Sequence, residues 1–373
     1  MWPELRLWQS LRLPETRECR NVNFKSAIAA GALFMSALLP AQARPVIAVV
    51  GENYATELID FVIPYGILTQ SGAADVIAVG TRPGAVRMRP ALRIEPQTTL
   101  QSFDERYPNG ADYVVVPAMM FENRAAQSVL VDWLRAQGAK GATMVSICDG
   151  ALLVAEAGLF NGHRATGHWA TQSKRERAFP DTQWLRNTSY VIDGKAISSA
   201  GVTAAIPLSL ALVEAIAGTD TAERVAREIG VSNWSPQHDS EQFHVGVSTY
   251  ALAIRNRLSK QREINIPVAA GVNEISLALA ADAWSRTFRS RAMTLASAGG
   301  AVLTKNGLTL LPDRISDAKP ADESIALDAL PADVLDQTLA DIGRRYGPST
   351  ATFVATQIEY SRVTPRATAQ GTR

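Results

Sequence analysis

A cysteine at a strand-to-helix turn is the part of this chain best suited to chemistry. The β-type run 144–147 stops at Cys148, and Gly150 then leads into a helix-forming stretch that ends at Gly158. Such an elbow holds a side chain over the carboxyl edge of a parallel sheet, where the N-terminus of the following helix favours the thiolate over the thiol. We therefore expect Cys148 to act as a nucleophile; the alternative is that it is a small buried hydrophobic residue.

The elbow needs neighbouring strands to form a pocket around it. Short apolar runs typical of buried parallel strands alternate with segments of helical periodicity. The predicted strands are residues 46–50, 76–79, 113–116 and 144–147, and the predicted helices are residues 57–70 and 129–137. In such sheets, ligands bind at the carboxyl ends of the strands. Cys148, Pro117 and Gly51 each follow a strand, so we expect them to meet at one pocket.

The sequence around the elbow resembles the ThiJ/PfpI superfamily, whose members have a class I glutamine-amidotransferase-like fold. Three motifs carry the resemblance: Cys-x-Gly-Ala beginning at Cys148, Ala-Gly-Leu-x-x-Gly beginning at Ala157, and Ala-Thr-x-His-Trp beginning at Ala165. Together they are similar to the branch that includes isonitrile hydratases and the sensory domains of AraC-type regulators. The resemblance implies an α/β fold, a doubly wound and mostly parallel sheet in a flavodoxin-like sandwich with a cysteine elbow.

The resemblance also implies an acidic partner for the thiol. Related ThiJ/PfpI proteins place a carboxylate on the first helix, four residues before a proline, where it hydrogen-bonds the elbow cysteine. Asp60 has this spacing to Pro64, and Glu57, one helical turn earlier, is a second candidate. A carboxyl buried beside a thiol can do general acid or base work if burial raises its pKa. The alternative is that both acids belong to a solvated helix start, which suits the helix dipole equally well.

The same pattern supplies the remaining candidate site residues. His168, in the Ala-Thr-x-His-Trp motif, could be a base or orienting group for the nucleophile, or only a packing residue. Gly51 and Gly150 are expected to line the pocket. Ala118 follows the strand that ends in proline, where backbone N–H groups can face a developing oxyanion.

Two departures from the family pattern bear on the reaction. Hydrolytic and glyoxalase-like relatives usually carry Gly-Gly after the proline, whereas this chain has Ala118 and Met119. Peptidase-like relatives carry histidine directly after the cysteine, where this chain has Asp149. Asp149 argues against a Cys-His peptidase. It is also expected near the pocket, and its charge would oppose formation of a thiolate unless it points into solvent.

Composition argues against several partners. The chain has 37 Lys and Arg against 36 Asp and Glu, a formal net charge of +1, so no basic surplus indicates nucleic acid. The basic helix-turn-helix region that AraC-type regulators carry is not visible. Four scattered histidines form no spacing typical of metal ligands. We expect a small-molecule substrate or ligand, with no nucleic acid, no metal and no cofactor.

A secretory signal is predicted at the N-terminus. Lys25 precedes an apolar run over residues 27–39, and Pro40 and small residues up to Ala43 follow. The run is shorter than the ~20 residues of a membrane span. We expect cleavage after Ala43 and a periplasmic or secreted chain with no membrane contact; the alternative is an uncleaved anchor. Cleavage would remove Cys19 and leave Cys148 as a lone thiol in an oxidising compartment.

The C-terminal part is predicted to be a partial second copy of the same α/β fold. The apolar positions that begin at Glu57 recur from Glu274, and Leu277 stands where Asp60 stands in the first copy. The strands 75–79 and 92–96 recur as residues 292–296 and 308–312, after an opening strand over residues 264–270. We expect a signal segment at 1–43, an α/β domain at 44–235, a linker at 236–262 and a degenerate repeat at 263–373. The repeat is expected to serve as a docking or oligomer surface, consistent with a homodimer.

Two functions of different class are compatible with these features. As an enzyme, the chain would use Cys148 as nucleophile and Asp60 as acid or base on a small electrophile, in hydratase, hydrolase or glyoxalase-like chemistry. As a binding module, the same pocket would hold a small ligand, or Cys148 would register oxidants as a sulfenate. The elbow and its acid favour the enzyme, whereas Ala118 and Asp149 favour the module.

Overall fold

The computed structural model describes residues 43–244, 246–315, 325 and 327–360. The strands are β1 Val46–Gly51, β2 Ala55–Glu57, β3 Asp75–Gly80, β4 Val86–Arg89, β5 Arg93–Glu95, β6 Thr98–Thr99, β7 Tyr113–Val116, β8 Met119–Met120, β9 Thr143–Ser146, β10 Arg164–Ala165, β11 Gln183–Trp184, β12 Tyr190–Asp193, β13 Ala196–Ser199, β14 Arg262–Val268, β15 Ser290–Ala296, β16 Val302–Leu303, β17 Thr309–Leu310 and β18 Arg314–Ile315. The helices are α1 Leu58–Ser71, α2 Leu100–Arg106, α3 Arg124–Ala139, α4 Gly150–Glu156, α5 Gln172–Ala178, α6 Ala205–Ala217, α7 Thr219–Ile229, α8 Val247–Leu258, α9 Glu274–Arg286, α10 Pro331–Tyr346 and α11 Pro348–Gln357.

The predicted signal segment lies outside the described residues apart from Ala43. From Arg44 onwards, the described residues belong to one compact unit. The residues predicted as a linker contain helix α8. Across the described ranges, no helix is both long enough and apolar enough to cross a membrane. The boundaries of the individual domains stay predictions.

A seven-stranded sheet forms the centre of the first α/β part, in the order β12-β13-β9-β7-β1-β3-β6. Every neighbouring pair is parallel except β12 and β13. Alternate residues of β1 face opposite layers: Ile47 and Val49 belong to one apolar cluster, and Ala48 and Val50 to another. This alternation is what a sheet covered by helices on both faces requires. The predicted doubly wound, mostly parallel sheet is therefore confirmed.

The C-terminal part adds a second α/β region. Strands β14, β15 and β18 form a parallel three-stranded sheet, and β16 pairs antiparallel with β17. With α9, these elements follow in the same order as β1, α1, β3, the antiparallel pair β4–β5, and β6. The predicted additional α/β region is present, and helices α10 and α11 complete it within the described residues.

The second region packs on the first through corresponding elements. Helix α9 lies antiparallel to α1: Arg286 contacts Glu57 at one end, and Ile275 packs against Gly66 towards the other. Strand β17 pairs antiparallel with β5, so that Leu310 faces Ile94, its counterpart in the repeated pattern. Because both of these contacts join an element to its own counterpart in antiparallel orientation, this part of the interface has the pattern of a local twofold axis.

Candidate active site at the cysteine elbow

Cys148 lies at a strained turn between β9 and α4. Its φ of 56° falls in the left-handed region that residues with a side chain rarely adopt. A Cβ added at Gly150 would lie 1.9 Å from the carbonyl oxygen of Val116, so only glycine permits α4 to approach β7 this closely. The tight packing of Gly150 thus holds Cys148 at the carboxyl end of the sheet, as the sequence predicts.

Asp60 is the acid that the fold brings to this thiol. It is completely buried in the first turn of α1, and its Oδ2 accepts a 3.1 Å hydrogen bond from the Ala118 N–H. Burial raises the pKa of Asp60 well above its ordinary value, and hydrogen bonds from the Ala118 N–H and the Cys148 thiol oppose the rise. Because Asp60 already binds the Ala118 N–H, that group is not free to face an oxyanion.

The thiol of Cys148 differs from the sequence expectation. Burial raises the pKa of Cys148 well above its ordinary value, and the negative charges of Asp60, Asp149 and Glu359 raise it further. The Asp149 N–H donates to the sulfur but does not offset these effects. The expected preference for the thiolate is therefore wrong, because burial and three carboxylates outweigh the N-terminus of the short helix α4.

Asp149 turns towards a neighbouring buried cation. Its Oδ1 accepts a 2.5 Å hydrogen bond from the Thr171 hydroxyl and lies 3.7 Å from Nη1 of Arg175. Arg175 is completely buried and also donates to the carbonyl oxygen of His168. This arrangement partly balances the Asp149 carboxylate, although its charge still opposes the thiolate of Cys148.

A cavity of about 410 Å³ opens beside Cys148. Its lining residues are Ala55, Glu57, Arg89, Ala118, Met119, Met120, Cys148, Asp149, His168, Trp169, Ala170, Val202, Arg286 and Gln357. Gly51, Pro117 and Gly150, which the sequence placed at the pocket, are not among them. Gly51 packs against Phe61 and Val86 in the core, and Gly150 packs against the Val116 carbonyl group. The volume suits a small molecule.

Comparison with known proteins identifies the part of the chain that holds this elbow. The profile of the DJ-1/PfpI family matches residues 46–215. These residues are a DJ-1/PfpI family domain.

Three relatives illustrate the similarity. The HTH-type transcriptional regulator CdhR of Pseudomonas aeruginosa is 34% identical over 134 residues, 36% of this chain and only 40% of the regulator's length. The isonitrile hydratase of Pseudomonas putida is 28% identical over 224 residues, 58% of this chain and 92% of the hydratase. The crystal structure of Drosophila melanogaster DJ-1beta covers 51% of this chain and all of its own, with 23% identity and a TM-score of 0.44.

His168 lines the pocket of the DJ-1/PfpI domain, but both ring nitrogens have other partners. Nδ1 accepts a 3.3 Å hydrogen bond from the Ala170 N–H, and Nε2 lies 3.4 Å from the carbonyl oxygen of Gln357. With Nδ1 accepting from a backbone N–H, the ring donates through Nε2. Neither nitrogen is then free to accept the proton of Cys148, which favours the orienting or packing interpretation over a base.

The second α/β region contributes residues to this pocket that sequence reasoning missed. Arg286, at the end of α9, pairs with Glu57 and also with Asp282, whose Oδ2 lies 2.5 Å from Nε. Burial lowers the pKa of Arg286 to about 10, and burial together with the charge of Asp60 raises that of Asp282. Glu57, the second candidate acid, is therefore bound by Arg286. Asp282 and Arg286 lie four residues apart on the apolar helix α9, and this spacing of an acid and a base was the sequence signal for their pairing.

Within the described ranges, no group of three or more His, Cys, Asp or Glu side chains could hold a metal ion.

Proposed function

We propose that this chain is an enzyme that acts on a small electrophilic molecule, with Cys148 as nucleophile and Asp60 as the group that moves the proton. The observation that carries the proposal is that the buried Cys148 thiol and the buried Asp60 carboxyl lie close enough to affect each other's ionisation, beside a cavity of molecular size that Cys148 lines. A thiol held at a strained elbow beside a carboxyl can serve as a nucleophile with an adjacent base in covalent catalysis.

The raised pKa values of Cys148 and Asp60 indicate which group gives the proton and which accepts it. Cys148 is a thiol in the free protein, so its sulfur needs a base at the moment of attack. Asp60, whose pKa burial raises, is a stronger base than an exposed carboxylate. The carboxylate accepts the thiol proton while the sulfur forms a bond to the electrophilic carbon. The displaced electron pair moves to the neighbouring heteroatom, or stays on the carbon when the substrate is an isonitrile.

The second half of the reaction regenerates the thiol. Protonated Asp60 donates its proton to the atom that received the electron pair. Water then adds to the carbon, the carbon–sulfur bond breaks, and the departing sulfur recovers a proton. The net reaction adds water to the substrate. When the carbon bears a leaving group, that group departs with the proton from Asp60 before water adds, and the substrate is hydrolysed.

Isonitriles are the first substrate class to test. The isonitrile hydratase of Pseudomonas putida matches this chain over 92% of its own length. An isonitrile is small, and its terminal carbon is open to attack by a thiol. Addition of one water to an isonitrile gives an N-substituted formamide, which chromatography detects directly.

The test compares the purified chain with the variant Cys148→Ser across small isonitriles, esters and 2-oxoaldehydes. We expect turnover of at least one class and a loss of at least ~10³-fold in the variant, since hydroxyl cannot replace thiol as nucleophile here. Turnover that survives in Cys148→Ser would contradict the proposal, as would the absence of turnover in every class.

The alternative function is a binding or oxidant-sensing module. The raised pKa of Cys148 favours the ligand-binding form of this alternative, because a thiol that stays protonated can serve a pocket that only binds a ligand. The regulator CdhR matches 134 residues of this chain. Saturable binding of a small ligand without turnover, or peroxide oxidation of Cys148 to a trapped sulfenate, would support this alternative.

Export is a separate part of the proposal. The apolar run over residues 27–39 and the small residues before Ala43 support a cleaved signal. N-terminal sequencing of the cellular protein should begin near Arg44, and a chain that still begins at Met1 would refute cleavage.

A further inference from the structure

Glu359 is a buried carboxylate that sequence analysis did not single out. It follows α11 in the second α/β region, its side chain is fully buried, and its φ of 53° is left-handed. Its Oε2 accepts a 2.8 Å hydrogen bond from the Gly201 N–H and lies 3.1 Å from Nε2 of His238. Its Oε1 accepts a 3.1 Å hydrogen bond from the Trp169 N–H. One side chain thus joins three separate segments of the DJ-1/PfpI domain and its C-terminal extension.

The segments that Glu359 holds form a wall of the Cys148 pocket. Trp169 and Val202 line the cavity. The Trp169 N–H donates to the Glu359 carboxylate, and so does the N–H of Gly201, the residue before Val202. A Cβ added at Gly201 would lie 2.3 Å from Cδ of Glu359, so the backbone is shaped around the acid. The Thr203 hydroxyl donates to the Glu359 carbonyl oxygen at 2.8 Å, which fixes the same contact a second time.

The charge of Glu359 also reaches the reacting groups. Burial acts to raise the pKa of Glu359. The hydrogen bond to His238, the charge of the nearby His168 and the hydrogen bonds from two backbone N–H groups outweigh burial and lower this pKa below its ordinary value. The carboxylate is therefore ionised at neutral pH. Its negative charge raises the pKa of both Cys148 and Asp60, and it opposes the lowering of the Arg175 pKa by burial.

We infer that Glu359 is a positioning residue of the Cys148 pocket, and that the C-terminal α/β region is part of the working site as well as a packing surface. The inference rests on the proposed function, because the position of the pocket wall affects activity only if the pocket binds substrate. The family profile ends at residue 215, so this carboxylate lies outside the part that the family shares. The contacts to Trp169 and Gly201 carry the inference.

The experiment measures alkylation of Cys148 by iodoacetamide against pH in the full chain. Glu359→Gln removes one negative charge, so the thiolate becomes easier to form and the pH profile should move to lower pH. At a fixed pH below the midpoint, we expect alkylation roughly two- to tenfold faster than in wild type, typical of losing one charge at short range. A profile that superimposes on that of the wild type would overturn the inference.

A matched control uses another buried acid of the same region. Glu274→Gln removes a buried carboxylate that accepts from Asn306 and whose charge raises the pKa of Tyr65. The charges that raise the pKa of Cys148 are those of Asp60, Asp149 and Glu359. We expect this variant to lose stability without moving the alkylation profile. An equal shift in both variants would show a general structural effect and would also overturn the inference.

A second variant keeps the test independent of folding defects. Glu359→Asp preserves the charge and tolerates the left-handed backbone, but the shorter side chain cannot reach both N–H groups. Amide hydrogen exchange should become faster in peptides containing Trp169 and Gly201, and unchanged exchange would contradict positioning. Failure of the proposed function would give a different result. The wild-type protein would show no turnover, while the Glu359 variants would still differ from it in the alkylation profile and in amide hydrogen exchange.

Discussion

The thiol and the carboxyl at the elbow depend on one another through a shared, buried environment. Burial raises the pKa of Cys148 and of Asp60 alike, so neither group is ionised as readily as it would be in water. The reactivity of the pair lies in proton transfer at the moment of attack, and a standing thiolate is not required. This distinguishes the site from a cysteine that is activated in advance by a neighbouring cation.

Asp60→Asn separates the role of Asp60 as a base from the effect of its charge on the pKa of Cys148. The variant removes the base, and we expect turnover to fall about 10²- to 10⁴-fold. It also removes the largest charge that raises the pKa of Cys148, so alkylation of the thiol at neutral pH should become faster. Steady-state turnover and mass spectrometry of the alkylated protein check the two effects. Turnover that is unchanged would remove Asp60 from the mechanism.

Gly150→Ala tests the geometry of the elbow. The added methyl group would overlap the carbonyl oxygen of Val116, so we expect the free energy of unfolding to fall by about 1–3 kcal/mol, measured in urea. Gly246→Ala is the matched control, because nothing lies within 4 Å of its added Cβ. Equal stability of the two variants would contradict the close packing of α4 on β7.

The antiparallel pair of helices α1 and α9 determines which acids face the pocket. Asp60 and Glu57 lie within one turn of each other, but Arg286 binds Glu57 and leaves Asp60 beside the thiol. The helical pattern of residues 57–70 alone could not show which of the two acids lies beside the thiol. The partner that decides it lies more than two hundred residues further along the chain, which is why sequence spacing left both acids open.

Arg286→Gln tests this helix contact. The variant leaves the buried Asp282 carboxyl without its cation, so we expect the free energy of unfolding to fall by roughly 3–5 kcal/mol near neutral pH. Because Asp282 can take up a proton, the loss should be smaller in acid. Arg344→Gln, at an exposed pair with Asp341, is the control and should change stability by at most ~1 kcal/mol. Equal effects in the two variants would contradict a buried pair.

At the scale of the whole molecule, much of the architecture could be predicted from local patterns. The predicted strand 46–50 and helix 57–70 correspond to Val46–Gly51 and Leu58–Ser71, because apolar alternation and helical spacing are local properties. The order of the C-terminal elements was also readable, since it repeats a pattern present in the first part. What escaped prediction was the way in which the two regions meet.

The electrostatics of the site were the other gap. The sequence shows a thiol before a helix, which alone favours the thiolate, but burial and the number of acids around it are properties of the folded chain. Glu359 reaches the elbow from the far end of the described chain. Similarly, Ala118 was expected near an oxyanion, but its N–H donates to Asp60. Such contacts join distant segments and leave no local pattern.

The most direct test of the account is the pH dependence of Cys148 alkylation in the wild-type protein, with mass spectrometry to assign the modified residue. The unfolded thiol should titrate near ~8.5. Because burial and nearby carboxylates raise the folded pKa, the folded protein should stay unreactive at neutral pH, and its alkylation rate should still rise beyond that value. A rate that reaches its plateau at or below pH ~8.5 would contradict a buried thiol that relies on Asp60 to take its proton.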